Sequence, residues 1–362
     1  MRKKVGILFG GRSAEHEVSL QSAQNVYDAI DRTKFEPILI GIDKDGDWFL
    51  SDESGFLIDA ENPESIKLNR TDNSVMLMPD NRRSLINVAE PESRKSIDVV
   101  FPLLHGPMGE DGTVQGLLRL AGIPFVGAGV LGSAIGLDKD VMKRLLRDSG
   151  LPVAPYIALR RSQSTPEYSA IVSEIGSPFF VKPANMGSSV GVSKVHDEME
   201  YQQAVANAYK YDRKIIVEQH IAGREIECAV LGNAEPIVSV PGEIVTSHEF
   251  YSYQSKYIDE KGAILTIPAK LSEELTGKIQ FMAKKAFLVL ECEGLSRVDF
   301  FLTEENFPII NEINTIPGFT RISMYPKLWE ASGITYSDLI NRLIGLALER
   351  HREELTLQTR YE

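Results

Sequence analysis

Near residue 150 the chain changes texture, and a single uniform architecture becomes untenable. Before that point short apolar runs alternate with helical stretches. Val5–Phe9 reads as a buried strand ending in Gly10-Gly11, followed by a helix over Ser19–Ile30. Ile38–Ile42 and Ile97–Phe101 read as further buried strands, and Val114–Leu120 as a helix after Gly112. Alternation of this kind predicts a parallel sheet with helices on its faces. The polar stretch from about Asp52 to Ser96 has weak periodicity and reads as an insertion of strand and loop. A charged helix from Lys139 to Asp148, closed by Gly150 and Pro152, ends this first texture.

Beyond Pro152 the runs shorten and turn residues crowd in. Phe179–Val181, Val190–Val195, Ile215–Glu218 and Glu225–Leu231 read as strands of an antiparallel sheet, with a helix near Glu198–Tyr209 among them. A long helix covers Ser272 to Leu290. Arg297–Leu302 and Pro308–Ile313 are two strands joined by the polar turn Glu304–Asn306. A helix from about Tyr336 to Arg350 then leads into a charged, frayed tail. The length of 362 residues suits two or three domains.

Charge and cysteine usage narrow the function. A formal net charge of -12 disfavours a general nucleic-acid binder, which needs a basic face for phosphates. It leaves room for a small anionic substrate held in a locally basic site. The run Val5–Phe9 is too short for a signal-peptide core or a membrane span. Cys228 and Cys292 form no CxxC pair and have no histidine spaced for zinc, so they read as buried free thiols. The expectation is a soluble, cytoplasmic, reduced protein.

The hairpin near the C-terminus carries the sharpest chemistry. Side chains alternate along a strand, so Arg297 and Asp299 share a face, and so do Glu312 and Asn314. Pairing the strands can gather Asp299, Glu312 and Asn314 while the apolar residues between them enter the core. Three oxygen donors without sulfur or imidazole suit a hard cation such as Mg²⁺. The alternative is a solvated strand face.

Three further segments gain weight beside it. Lys182-Pro-Ala-Asn-Met-Gly187-Ser188-Ser189-Val-Gly191 lies between two strands and is neither a Walker A loop nor a Rossmann fingerprint. Its small residues let backbone N–H groups approach an anion, with Lys182 beside them; alone it would be a turn. Ile215–Ile221 turns polar at Glu218, which can meet a ribose or an amino group, though alone it is an edge strand. The loop from Gly10 to Glu17 follows the first strand, where open α/β sheets place their ligands. A carboxylate there can hold an ammonium, or the loop is an N-cap region with Ser19 as the cap.

Taken together, these segments resemble the ATP-grasp superfamily and, within it, the D-alanine–D-alanine ligase family. The resemblance runs from Gly10 to about Arg350. Its most specific parts are GGRSAEHEVSL, HGPMGEDG, KPANMGSSVGVSK, KYID, RVDFFL and NEINTIPGFT. It implies an α/β, multidomain fold: an N-terminal parallel-sheet substrate domain over 1–138, a central ATP-grasp part over 139–226, and a C-terminal part over 227–362 with the metal site and a lid loop. ATP would lie between two antiparallel sheets. Asp299, Glu312 and Asn314 would bind two Mg²⁺ (or Mn²⁺) ions bridging the phosphates. Lys139 and Lys182 would contact those phosphates beneath the loop Asn185–Gly191, which contains Ser189.

The same resemblance implies that Glu218 and the backbone at Gln219 and Ile221 hold adenine, with Glu225 on the ribose. Glu15 would hold the ammonium of a first D-alanine, with His105 and Glu110 nearby. Arg297 and the Gly318 N–H would form an oxyanion hole, and Ser323 would grip the carboxylate of a second D-alanine. Lys256 and Tyr257 would belong to the loop that closes the site, within a lid over Val245–Ile267. Tyr257 would be linked through Ser188 to Glu15, and a phenylalanine at that place would favour D-lactate as second substrate. Gln219, His220 and Met186 depart from the commonest pattern, which touches fine nucleotide affinity rather than the reaction. The implied activity is ATP-dependent synthesis of D-alanyl-D-alanine through a D-alanyl phosphate, for peptidoglycan precursors, by a homodimer without nucleic-acid or membrane partners. The rivals are an ATP-grasp ligase for another second substrate and a catalytically silent amino-acid or nucleotide sensor.

Overall fold

The structure is a computed structural model and describes residues 2–358 apart from 54, 61, 63, 64, 81 and 247–262. Its first sheet has four strands. Lys3–Gly10 lies between Phe35–Ile42 and Val99–Pro102, parallel to both, and Trp48–Leu50 closes one edge antiparallel. The three parallel strands are buried almost throughout, which is why their sequences read as continuous apolar runs. The chain leaves the first strand through Gly10, whose φ of 90° and missing side chain are both required. A Cβ there would stand 2.1 Å from the Ile42 carbonyl oxygen.

The helix that follows spans His16–Ala29 and starts three residues before the expected Ser19. Ser19 is therefore not its cap. Its hydroxyl instead accepts from the Gly10 N–H at 2.7 Å and donates to the Leu103 carbonyl, tying the turn to the neighbouring strand end. The polar insertion forms two small antiparallel sheets, Leu57–Ile58 with Lys67–Leu68, and Val75–Leu77, Ser84–Asn87 and Arg94–Ser96.

The second texture resolves into two antiparallel sheets. One has the order Tyr156–Arg160, Lys214–Gln219, Phe179–Pro183, Ser193–Val195. The other runs Ala263–Thr266, Gly242–Thr246, Arg224–Gly232, Gly294–Leu302, Pro308–Asn314, with Ile237–Val238 beside the third of these. The strand read over Glu225–Leu231 thus belongs to a different sheet from the three read before it. The strand read over Val190–Val195 starts only at Ser193, because the residues before it form turns. Short elements without strong periodicity escaped the sequence, among them the helices Val130–Leu137, Tyr168–Ile175 and Met324–Ala331.

Two cores decide how the sheets sit. Val5, Ile7, Phe9 and Phe101 share one core with Ala229, Leu231, Leu295 and the C-terminal helices, through Trp329, Leu339 and Leu343. Cys228, Val298, Phe300, Ile310 and Ile313 pack in another core with the helix Glu273–Val289 and with Met142 and Leu146 of the helix Lys139–Asp148. That last helix, capped by Asp138 accepting from the Val141 N–H at 3.1 Å, presents its other face to the central sheet. Both thiols are buried, and burial raises each pKa, that of Cys228 to about 12. No helix among the described residues is long and apolar enough to cross a membrane.

Candidate active site

The hairpin Gly294–Leu302 and Pro308–Asn314 is not a regular ladder. Asp299 faces Glu312, but the next residue, Phe300, faces Ile310, so Asn311 is an extra residue. Side chains alternate strictly, and without an insertion Ile310 and Glu312 would share a face. The bulge re-phases the strand, sending Ile310 into the core and leaving Glu312 on the face of Asp299. Arg297 donates to Asp299 from Nε and Nη2, at 2.7 Å each, and meets Glu227 Oε2 at 2.9 Å. Burial alone would lower the arginine pKa, but Asp299 and Glu227 raise it well above the usual value, so it stays charged. Asn314 Nδ2 donates to Asp299 Oδ2 at 2.9 Å.

Among the described residues no three His, Cys, Asp or Glu side chains cluster as a cation site. The hairpin instead offers two carboxylates and the amide oxygen of Asn314, donors that suit a hard divalent ion with further oxygens from water and phosphate. Lys139 Nζ stands 3.5 Å from Glu312 Oε2 and donates to the Met186 carbonyl at 2.8 Å. It joins Glu312 on the hairpin to the loop after Lys182.

Sequence reasoning missed Lys143, one turn beyond Lys139 on the same helix face. Its side chain is only 1% exposed; Nζ touches Glu218 Oε1 and donates to the Asn311 carbonyl at 2.9 Å. Lys182 Nζ donates to Glu218 Oε2 at 2.5 Å. Burial would raise the Glu218 pKa, but the two ammonium groups hold it below the usual value, so the carboxylate is ionised. Burial lowers the Lys143 pKa, with Glu218 opposing it. For Lys182 burial pulls the same way, but Glu218 outweighs it and the pKa is raised. Each carboxylate oxygen of Glu218 thus meets a lysine. The signal for Lys143 was its i, i+4 spacing from Lys139.

The opposite wall comes from the N-terminal sheet. Ser188 donates to Glu15 Oε1, joining the glycine-serine loop to the first βα loop. Ser188 and Ser189 both take left-handed backbone, φ 48° and 60°, which costs a non-glycine residue about 1 kcal/mol. Beside Glu15 lie two more buried groups. His105 must donate from Nδ1 to the Ile316 carbonyl at 3.1 Å, so Nε2 faces Ser22 Oγ at 3.4 Å. Burial lowers its pKa despite Glu15, which keeps the ring neutral. Glu110 accepts from the Gly106 N–H at 2.6 Å, and burial together with Glu15 pushes its carboxyl up to about 8.

The remaining candidates fall around this centre. A Cβ at Gly318 would lie 3.1 Å from Ser323 Oγ, which accepts from the Thr320 N–H at 3.1 Å. The Gln219 N–H is taken by the Pro155 carbonyl at 2.9 Å, at the strand end that leads to Ile221. Glu225 stands on the six-stranded sheet between Ile244 and Phe301. Lys256 and Tyr257, and most of the segment read as a lid, lie outside the described residues.

Two antiparallel sheets bridged by lysines, with hard oxygen donors on one and a glycine-serine loop on the other, define an ATP-grasp enzyme of the ATP-dependent ligase class. Family models for the D-ala D-ala ligase N-terminus and C-terminus match residues 4–128 and 145–345. The chain belongs to the D-alanine–D-alanine ligase family. It is 54% identical over 361 residues to a D-alanine–D-alanine ligase of Oceanobacillus iheyensis, covering 99% of each chain. It is also 54% identical over 358 residues to D-alanine–D-alanine ligase A of Escherichia coli K12, covering 98% of each. Among solved structures, the ligase from Coxiella burnetii superposes with a TM-score of 0.84 at 39% identity, over 98% of this chain and 96% of that one. A D-Ala:D-Ser ligase from Enterococcus faecalis follows at 0.83 and 36%, over 96% and 100%. Enzymes of this family use ATP and a divalent metal.

Proposed function

We propose that this chain joins two D-alanine molecules into D-alanyl-D-alanine, with release of ADP and phosphate, in the supply of peptidoglycan precursors. The observation that carries this reading is the contact of Ser188 with Glu15, which puts the loop suited to phosphate directly against a carboxylate suited to an ammonium. A carboxylate is a poor electrophile, so the first D-alanine must be activated. Its carboxylate oxygen attacks the γ-phosphorus, the bond to ADP breaks, and an acyl phosphate forms. The amine of the second D-alanine, once deprotonated, attacks the carbonyl carbon, and phosphate leaves from the tetrahedral adduct.

The chain's residues meet these demands in turn. Glu15 holds the first ammonium. Lys139 and Lys182 neutralise the phosphates under Ser188 and Ser189, and phosphoryl transfer needs chiefly this positioning and charge. Asp299, Glu312 and Asn314 would hold two Mg²⁺ or Mn²⁺ ions, and the chemistry such ions would supply there is Lewis-acid neutralisation of phosphate charge. Adenine is held by the backbone at Gln219 and Ile221, with Glu218 fixing Lys182, and Glu225 takes the ribose. Arg297 and the Gly318 N–H meet the oxyanion, and Ser323 grips the second carboxylate. Lys256 and Tyr257 close the site from the lid. Boundaries near residues 138 and 226 divide the chain into three parts, with the helix Lys139–Asp148 bridging the last two. The need for ATP supports a cytoplasmic location, and the family suggests a homodimer.

A second reading has its own support, since a D-Ala:D-Ser ligase shares this fold at a TM-score of 0.83. Phosphate release with D-alanine alone, then with D-serine or D-lactate added, separates the two. Mixed products dominating at equal concentrations would favour the second.

A further inference from the structure

We propose that Lys143 is a positioning residue that sets two parts of the nucleotide site at once, the bulge that aims Glu312 and the carboxylate that aims Lys182. The inference rests on the ligase reading and assigns a role to a residue outside every motif of that reading. Lys143 is the best-buried ionisable side chain of its helix, at 1% exposure. Burying an ammonium is costly unless charge and hydrogen bonds compensate. Here the compensation comes from two different sheets. Glu218 is the penultimate residue of a strand of the central sheet, and Asn311 is the extra residue in the hairpin of the other. Helix and both sheets therefore meet at one nitrogen.

Each contact has a geometric consequence. The Asn311 carbonyl belongs to the residue whose insertion puts Glu312 on the face of Asp299. A bulge leaves backbone groups outside the ladder, and a buried donor fixed to one of them holds the bulge in place. On the other side, Glu218 uses Oε1 for Lys143 and Oε2 for Lys182. Without Lys143 the carboxylate can rotate or follow Lys182 as a simple pair, and the Lys182 ammonium loses its fixed place. Lys139, one turn earlier, faces Glu312 and the Met186 carbonyl. The helix thus carries one lysine toward the phosphates and one that braces their other partners.

The test separates bracing from general stability. ADP affinity in the presence of Mg²⁺ is measured by calorimetry for wild type, Lys143→Met, Glu218→Gln and the double variant, with circular dichroism and Tm alongside. Lys143→Met should keep the fold and the KM for D-alanine while weakening ADP about 10-fold or more, the scale of a lost charged hydrogen bond. Because Lys143 acts in part through Glu218, the double variant should bind ADP less weakly than the product of the two single losses requires. ADP affinity within twofold of wild type, or strictly additive losses, would overturn the proposal. If Lys143→Met does not fold, Lys143→Gln, which can still donate to the Asn311 carbonyl, is measured in the same way. Failure of both to fold assigns the residue to stability and also overturns it. Wild-type protein that makes no dipeptide from D-alanine and ATP would instead sink the ligase reading, whatever the variants do.

Discussion

At the scale of single residues, two carboxyls show how environment divides labour. Glu312 stands near Lys139 and opposite Asp299, where the proposed reading puts a divalent cation. Glu312→Ala should lower turnover on the order of 1000-fold, the scale of losing one charge stabiliser in phosphoryl transfer, with the circular dichroism unchanged. Near-normal activity at saturating Mg²⁺ would remove it from the ligand set. Glu110 is the opposite case, a carboxyl pushed up to about 8 from 4.5 by burial and by Glu15. The folded protein keeps a proton there that the unfolded chain releases, so stability is full below the unfolded value and declines as pH rises toward about 8. Glu110→Gln is neutral at every pH. Its Tm relative to wild type should therefore rise between pH 6 and pH 9, and a constant difference would show that Glu110 does not titrate there. That Arg297 shares a face with Asp299, and that Asp299 meets Glu312 across the hairpin, was legible because strand period is a local property. Lys143 was not, because its contacts come from two strands far away in sequence, and the same distance hid the two lysines that meet Glu218.

At the scale of elements, the sequence reading succeeded where a pattern was long or sharply punctuated. The helix Lys139–Asp148 has its expected bounds, and the long helix read from Ser272 to Leu290 is found as Glu273–Val289 with Ser272 capping the Leu275 N–H. The C-terminal helix continues to Glu354, past the point where charge suggested fraying. Sheet membership was the harder question. Arg224–Gly232 follows Lys214–Gln219 after a short turn, yet it pairs with Gly294–Leu302 in the other sheet, a choice made by long-range packing. The Asn311 bulge was likewise hidden, since one extra residue in a hairpin leaves no mark in composition. The start of the helix Lys139–Asp148 offers a test at this scale. Asp138 caps it and also meets Lys214 Nζ at 2.6 Å. Asp138→Ala should cost about 1 kcal/mol in stability by denaturant titration. It should also raise the KM for ATP, because Lys139 is the next residue. A stability loss with an unchanged KM would mean the helix start does not place Lys139.

At the scale of the whole molecule, the first and last parts of the chain are one packed body. The first sheet shares its core with the C-terminal helices and with the back of the six-stranded sheet. Arg350 fastens this arrangement. It donates to the Phe125 carbonyl at 2.8 Å and to the Gly127 carbonyl at 2.5 Å, meets Glu293 at 3.1 Å, and lies over the Phe125 ring. Arg350→Ala should lower stability by about 2–3 kcal/mol, since buried carbonyls lose a charged donor, while kcat per folded molecule stays near wild type. A large loss of kcat at full folding would mean that this clamp also sets the wall bearing Glu15. In that wall the contact of Ser188 with Glu15 joins the glycine-serine loop to the first βα loop. The most direct measurement is the stoichiometry of products from the protein, ATP, Mg²⁺ and D-alanine. D-Alanyl-D-alanine, ADP and phosphate are expected in equal amounts, and none of the three from L-alanine. ATP hydrolysis without dipeptide, or equal turnover of L-alanine, would contradict it.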